Sequence, residues 1–312
     1  MKYKHLLYCP WTGLGLYNGY RGDGWLKNRI QIFKQFVIPS IQNQTAKNLT
    51  LWCSWRPEEK NNPIVKELIA YLDKIKEFNS VHTFHGVCFW DDKYPDDVAQ
   101  DRLLTSLHGS LAELTDVIGD VDNVYMTLQP SDDMYEKEAM EMIRRILEKK
   151  AVQAAGFKHG YVINLQNKEV AEWNPKTNPP FFTIKFPRSV FLDPLGHFNH
   201  SGPYKSHEYV GDKLNYAQLE YRGFMVGTHG ENISTVFDHP FKKSIIDVLK
   251  CHDIRDSFGI GQAFPLKLEM TRRRVLFNKL SYKVKRKLRF LAGEKKWILR
   301  PIFSIIYNWL RG

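Results

Sequence analysis

Short apolar runs alternate with amphipathic stretches along the first half of the chain. Runs rich in β-branched and aromatic residues are typical of buried strands, whereas apolar residues three and four apart are typical of helices. Alternation of the two predicts an α/β fold, with a mixed, mainly parallel sheet flanked by helices. The predicted strands cover residues 5–9, 49–55, 81–84 and 124–128, and the predicted helices begin near residue 23 or cover residues 63–78 and 96–115.

The helix that begins near residue 23 has a well-defined apolar face. Leu26, Ile30, Phe33 and Val37 follow one another at helical spacing and predict one buried side. Pro39 should stop or kink this helix, because proline lacks the N–H group and its ring clashes with the carbonyl four residues earlier.

The second half of the chain has a less regular pattern. We predict an irregular or short-stranded lobe over residues 173–205, which are rich in proline, asparagine and aromatic residues. The remaining predicted elements are a helix over 136–149, strands over 151–157 and 160–165 with a hairpin turn at 167–168, and helices over 208–219 and 240–253.

An acidic turn follows the strand predicted at residues 124–128. The strand stops before Pro130, and Ser131, Asp132 and Asp133 come next. Open α/β sheets bind ligands at the carboxyl ends of their strands, and paired carboxylates are suited to Mg²⁺ or Mn²⁺ that carries substrate phosphates. The alternative interpretation is that these residues cap the following helix, since serine and aspartate are favoured N-caps.

The net charge of +11 is concentrated at the C-terminal end of the chain. Residues 271–312 contain 13 lysines and arginines and one acid, whereas the other 270 residues carry 32 basic and 33 acidic side chains. The high isoelectric point therefore describes this tail and does not indicate a nucleic-acid-binding core.

The basic tail also contains regularly spaced leucines and an aromatic, apolar end. Basic residues interleaved with tryptophan, phenylalanine and leucine are typical of a helix that lies on an anionic membrane surface. A solvated basic helix, an interface with a partner protein and nucleic-acid binding are the alternatives. We therefore predict a main domain over residues 1–262, with halves at 1–135 and 136–262, and a membrane-associating tail over residues 263–312.

The cysteines and the N-terminus point to the cytoplasm. Four cysteines lie far apart with no Cys-x-x-Cys pair, which argues against a structural zinc site and a disulfide framework. The apolar stretch before Pro10 is too short for a signal peptide, and no stretch reaches the ~18 apolar residues of a spanning helix. The predicted location is the cytoplasm, peripheral on the inner face of the cell membrane.

Three blocks of the sequence, in order, resemble a family of bacterial rhamnosyltransferases, which are GT-A-type glycosyltransferases. The first covers residues 25–52, with Arg29 four residues before Phe33, then Pro-Ser-Ile, Gln44-Thr and a strand with tryptophan. The second is the acidic turn at 131–133, and the third is the segment 229–234, His-Gly-Glu-Asn-Ile-Ser.

The resemblance covers roughly residues 1–262 and implies a GT-A-like fold. It implies transfer of a sugar, with rhamnose as one candidate, from a nucleoside-diphosphate donor to a cell-surface glycan or lipid-linked acceptor. It further implies a divalent metal, Mn²⁺ or Mg²⁺, on Asp133, Asp132 and His229, and substrate contacts from Arg29, Gln44, Asp132 and Asn232.

The acidic turn departs from the family pattern at two positions. Pro130 stands where the family has its first aspartate, and Leu128 stands where it has an arginine. Fewer carboxylates are therefore present than the family uses. A nucleotide-sugar-binding protein with a degenerate metal site is one alternative function. A metal-dependent nucleotidyltransferase is another, although the chain lacks a glycine-rich or basic phosphate clamp.

An inverting glycosyltransferase needs a carboxylate base that takes the proton of the acceptor hydroxyl. Glu208 and Asp212 are the candidates after the predicted hairpin, and the alternative is that each is a surface acid.

Overall fold

The sheet forms the centre of the molecule. The computed structural model describes residues 2–12, 22–86, 96–149, 151–166, 169–201, 210–229, 237 and 254–261. Within this part of the chain, nine strands form one sheet in the order β3-β2-β1-β4-β8-β6-β9-β5, and β7 pairs with β6. The strands are β1 (Tyr3–Pro10), β2 (Leu49–Ser54), β3 (Asn79–Thr83), β4 (Asn123–Leu128), β5 (Met134–Tyr135), β6 (Ala154–Asn164), β7 (Glu169–Trp173), β8 (Phe182–Pro187) and β9 (Tyr216–Thr228).

Six of the nine strands run in the same direction. Strands β1, β2, β3 and β4 are mutually parallel, β8 and β5 run against their neighbours, and β6 and β9 pair in parallel again. Strand β7 returns along β6 as an antiparallel hairpin. The α/β class, with a Rossmann-like mixed sheet that is mainly parallel, is therefore confirmed.

Helices cover both faces of the sheet. One apolar cluster contains residues from the first, third and fifth helices, and a second cluster contains residues from the fourth and from the three short helices before β9. In β1, Leu7 and Cys9 face the first cluster whereas Leu6 and Tyr8 face the second, so the strand is apolar on both sides. The helices are α1 (Asp23–Ile32), α2 (Ile38–Gln42), α3 (Pro63–Leu72), α4 (Asp96–Ile118), α5 (Ala139–Lys149), α6 (Arg188–Leu192), α7 (Pro194–Ser201) and α8 (Val210–Lys213).

The helix predicted from residue 23 continues past Pro39. A π-helical segment, Phe33–Val37, joins α1 to α2, and Pro39 lies in the first turn of α2. The wider π turn shifts the backbone hydrogen-bond pattern just before Pro39, which has no N–H group to donate. Leu26, Ile30, Phe33 and Val37 all lie in the first apolar cluster, so the predicted buried face is confirmed.

One strand of the second half lies where a helix was predicted. Strand β9 begins inside the helix predicted over residues 208–219, whose described part is helical only in α8. Strand β8 lies in the lobe for which irregular structure or short strands were predicted, and it agrees with the second of these alternatives. The strands predicted at 151–157 and 160–165 form one strand, β6, with register shifts near His159. The prediction at β9 was wrong because this strand gains its hydrogen bonds and burial from a distant partner, β6, which local patterns do not record.

Several predictions fall on residues that the structure does not describe. These are the hairpin turn at 167–168, the helix predicted over 240–253 and the tail over 271–312. None of the helices in the described ranges has an apolar run long enough to cross a membrane.

Candidate functional site

The candidate site lies at the carboxyl edge of the sheet. After β1 the chain builds β2 and β3 on one side, and it then returns to add β4 on the other side of β1. In open α/β sheets, such a change of direction leaves a crevice beyond the strand ends in which ligands bind. Strand β4 leads into the acidic turn at this edge, and β9 ends there at Thr228 because it runs in the same direction.

The acidic turn is held by hydrogen bonds from three directions. The backbone N–H of Gln129 donates to the carbonyl of Tyr8 at 2.7 Å, which ties the turn to β1. The side-chain amide of Gln129 donates to the carbonyls of Pro130 and Asp133 at 3.0 and 2.9 Å. The hydroxyl of Tyr135 donates to the carbonyl of Leu128 at 2.7 Å. The backbone conformation of the turn is therefore set before any ligand binds.

The alternative in which residues 131–133 cap a helix is wrong. Helix α5 begins at Ala139, and β5 lies between it and the acidic turn. The carboxylate of Glu136 accepts the N–H of Glu138 at 2.7 Å just before α5. The carboxylates of the turn are thus available for other partners.

Asp132 forms an ion pair with Arg29 and a hydrogen bond with His229. The guanidinium of Arg29 contacts Oδ2 of Asp132, and Nε2 of His229 donates to the same oxygen at 3.2 Å. The Arg29 side chain, on α1, is only 2% exposed, and the Asp132 side chain is 14% exposed. The structure therefore brings together three residues that the sequence separates by about 200 positions.

The two carboxyl groups of the turn have opposite electrostatic surroundings. Burial acts to raise the pKa of Asp132, but the charge of Arg29 and the hydrogen bond from His229 outweigh it, so the pKa lies below the usual value. Burial raises the pKa of Asp133 well above the usual value, and the neighbouring charge of Asp132 adds to this rise. The pKa values of the two neighbouring carboxyl groups are therefore shifted in opposite directions.

Asp133 is directed towards the end of β9. Its Oδ1 accepts the backbone N–H of Gly227 at 3.0 Å. A Cβ atom at position 227 would stand 2.3 Å from the carbonyl oxygen of Asp132, so only glycine allows this approach. Sequence reasoning missed Gly227, although a glycine two residues before a candidate ligand histidine is a signal of close backbone contact.

The described residues do not form a metal site. Within them, no group of three or more histidine, cysteine, aspartate or glutamate side chains is placed to hold an ion. Oδ2 of Asp132 is taken by Arg29 and His229, and the His229 nitrogen that faces it acts as a donor. The predicted set of Asp132, Asp133 and His229 is thus brought together, and the contacts described above join it to Arg29 and Gly227.

Gln44 lies beneath the turn and contacts backbone groups. Its side-chain amide is within hydrogen-bond distance of the carbonyls of Ser40, Tyr135 and Glu136, and its carbonyl accepts the N–H of Met140. Both ends of this buried side chain are occupied. The structure therefore gives Gln44 a supporting position, and its predicted substrate contact stays a prediction.

Asp212 does not share this edge of the sheet. It is exposed in α8, just before β9 begins, whereas the site lies where β9 ends. The 13 residues of β9 span roughly 40 Å at ~3.3 Å per residue. Asp212 is therefore at the opposite end of the sheet from Asp132. The other predicted base, Glu208, and the predicted contact Asn232 lie outside the described residues.

Comparisons with known proteins return low similarity. No family model matches the chain, and no curated protein gives a significant match. Among solved structures, S. aureus TarS 1–349 is 10% identical, with a TM-score of 0.37 over 96% of this chain and 77% of that one. Its complex with UDP-GlcNAc has a TM-score of 0.38 at 10% identity, over 88% and 79% of the two chains. Its complex with UDP has a TM-score of 0.37 at 11% identity, over 96% and 78%.

Proposed function

We propose that this chain is a glycosyltransferase that takes a sugar from a nucleoside-diphosphate donor. The observation that carries the proposal is the cluster of Arg29, Asp132 and His229 at the carboxyl edge of the sheet, where the strand order reverses between β1 and β4. A crevice at this switch point is where an α/β sheet binds a nucleotide. The three sequence blocks that resemble the GT-A-type rhamnosyltransferases include all three of these residues.

The reaction requires charge stabilisation at the diphosphate. An acceptor hydroxyl attacks the anomeric carbon and gives its proton to a base, while the bond from that carbon to the phosphate oxygen breaks. The electron pair stays on the nucleoside diphosphate, whose negative charge must be balanced in the transition state. Arg29 and His229 both contact Asp132 at this preorganised turn, so the charge of this carboxylate is balanced and the turn does not repel a diphosphate.

We also propose a donor sugar, an acceptor and a location, which follow from the sequence resemblance and from the basic tail. The donor sugar would be rhamnose, and the acceptor a cell-surface glycan or a lipid-linked precursor at the inner face of the membrane. Residues 271–312 would bring the enzyme to an anionic surface, where a lipid-linked acceptor is concentrated. No catalytic base is assigned, because the exposed Asp212 precedes β9 whereas the site lies where β9 ends, and Glu208 is only two residues before α8 in the sequence.

A divalent metal was expected from the resemblance. When bound, such an ion would neutralise charge on the departing diphosphate. The described residues do not fit this role, and no step of the proposed reaction depends on it.

The proposal is tested by nucleotide binding together with hydrogen exchange. UDP, dTDP, GDP and ADP are titrated calorimetrically into the full chain, first with EDTA and then with Mn²⁺. We expect one pyrimidine nucleotide to bind at least about tenfold more tightly than ADP. Amide exchange should slow in the acidic turn and at the end of β9, while α8, at the far end, serves as the internal control.

Transfer itself is measured by release of nucleotide from the corresponding nucleotide sugar. Binding without release, with or without a lipid-linked acceptor, would favour the nucleotide-sugar-binding alternative. A folded chain that binds none of the four nucleotides would refute the glycosyltransferase proposal.

A further inference from the structure

A positively charged side chain already contacts the acidic turn. Arg29 contacts the carboxylate of Asp132, and its side chain is almost completely buried. An arginine side chain keeps its charge at every physiological pH, so a positive charge lies permanently at this carboxylate. The Arg29 guanidinium also lies over the ring of Trp25, at 5.4 Å, which fixes its approach from α1.

A divalent metal ion at the acidic turn would have to displace the side chains that already contact its carboxylates. Oδ2 of Asp132 receives both Arg29 and Nε2 of His229, and Oδ1 of Asp133 receives the N–H of Gly227. A divalent cation needs free oxygen atoms and is repelled by a fixed guanidinium in a poorly hydrated site. These contacts engage one oxygen of each carboxyl group and place a guanidinium beside Asp132, an arrangement that does not fit a divalent cation.

Arg29 comes from an element that the fold cannot easily move. Helix α1 packs on the sheet through Leu26 and Ile30, and it continues through the π segment into α2. Both sides of the ion pair are therefore anchored, Arg29 by this helix and Asp132 by the hydrogen-bonded turn. Such preorganised charge is effective for stabilising an anion, because it needs no rearrangement when the anion arrives.

We propose that Arg29 is the cation of the donor site, and that the diphosphate of the donor is bound without a divalent metal. This inference rests on the proposed function. Arg29 balances the carboxylate of Asp132, so an anionic diphosphate can approach the turn without meeting uncompensated negative charge. The Pro130 and Leu128 departures agree with this role, since they remove the first aspartate and a second arginine from the turn.

The first measurement needs no variant. The nucleotide that binds the full-length wild-type chain is titrated in EDTA and again in 1 mM Mn²⁺, a condition chosen for the assay and about saturating for ordinary sites. We expect dissociation constants that agree within about twofold. Binding that requires Mn²⁺ would overturn this inference and leave the glycosyltransferase proposal standing. Absence of binding in both buffers would overturn both.

The second measurement removes the cation. Arg29→Gln should weaken nucleotide binding in EDTA by at least about tenfold, and Mn²⁺ should recover part of the loss because the carboxylate is now free. Arg29→Lys keeps the charge and should lose less. Lys27→Gln removes one charge from an exposed position of the same helix and is the matched control. Equal binding by a folded Arg29→Gln chain and by the wild type in EDTA would overturn the inference.

Discussion

At the scale of single residues, the site depends on positions that carry no reactive group. Gly227 is such a position, because the absence of a side chain lets the end of β9 lie against the acidic turn. Its N–H group then bonds to the carboxyl group of Asp133. This contact helps to place the acidic turn, together with the hydrogen bonds of Gln129 and Tyr135.

Replacement of Gly227 by alanine should disturb the turn. The new Cβ atom would lie 2.3 Å from the Asp132 carbonyl, so the strand or the turn must shift. We expect a loss of about 1–3 kcal/mol in the free energy of unfolding, measured by urea denaturation. Gly24→Ala, at an exposed position of α1 with nothing within 4 Å, is the control and should be neutral or slightly stabilising. An equal response of the two variants would contradict the role of Gly227.

A second residue, His5, links folding to pH. Its Nε2 atom lies 2.7 Å from the hydroxyl of Thr127 inside the sheet, and burial lowers its pKa to about 3. In the unfolded chain the pKa of a histidine is about 6.5. The stability associated with the neutral ring is thus fully present above about pH 6.5 and is lost as pH falls towards 3, because only the unfolded chain then takes up the proton.

We expect the titration of His5 to lower the free energy of unfolding by about 1.4 kcal/mol for each pH unit below about 6. His5→Gln retains a donor for Thr127 but does not titrate, so the variant should lack this part of the pH dependence. Urea denaturation of both chains at several pH values from about 7 to about 5 gives the difference directly. A difference between wild type and variant that stays constant with pH would contradict the expectation.

At the scale of elements, the site is supported by the segment from α1 to α2. Arg29 extends from α1 to the acidic turn, and Gln44, just after α2, binds the backbone that leads from β5 to α5. The π segment between the two helices keeps both side chains in place despite Pro39. The segment from α1 to Gln44 thus supplies both the charged side chain of Arg29 and an amide that holds the neighbouring backbone in place.

Loss of the Gln44 amide should destabilise the whole domain. Gln44→Ala would leave the N–H of Met140 without its buried partner, and the carbonyl of Glu136 would keep the N–H of Ala139. We expect a loss of about 1–3 kcal/mol in unfolding free energy, which is the usual cost of a buried unsatisfied group. Gln31→Ala, at an exposed position of α1, should change stability by less than about 0.5 kcal/mol. A similar loss in both variants would show that Gln44 has no special role.

At the scale of the whole molecule, charge is divided between a neutral body and a basic tail. The proposed membrane contact depends on that tail, and each lysine near an anionic surface contributes ~1 kcal/mol. Replacement of Lys283, Lys285 and Lys287 by glutamine should lower binding to vesicles with anionic lipid by at least about tenfold. Sedimentation with vesicles of neutral and of anionic lipid measures this.

The matched control for the tail variant removes three lysine charges from the part of the chain before residue 271. Lys27, Lys74 and Lys76 are exposed, and their replacement by glutamine should leave vesicle binding almost unchanged. Retention of the whole chain by RNA, with a steep dependence on salt and no affinity for anionic vesicles, would favour the nucleic-acid alternative.

The sequence by itself determined the first half of the sheet and the chemical character of the site. The runs at β1, β2 and β4 are buried on both faces and are recognisable because most of their residues are apolar, whereas the edge strand β3 is only partly buried. The acidic turn after β4 follows from the same pattern, since Pro130 ends the strand and the aspartates come next.

Tertiary structure alone decided the rest. Strand β9 forms where a helix was predicted, because β6 and β5 offer it hydrogen bonds that local patterns do not record. The pairing of Arg29 with Asp132 likewise spans about 100 positions and depends on where α1 packs. Local patterns record which residues prefer to be buried, whereas the partner of a buried charge is set by contacts between distant segments.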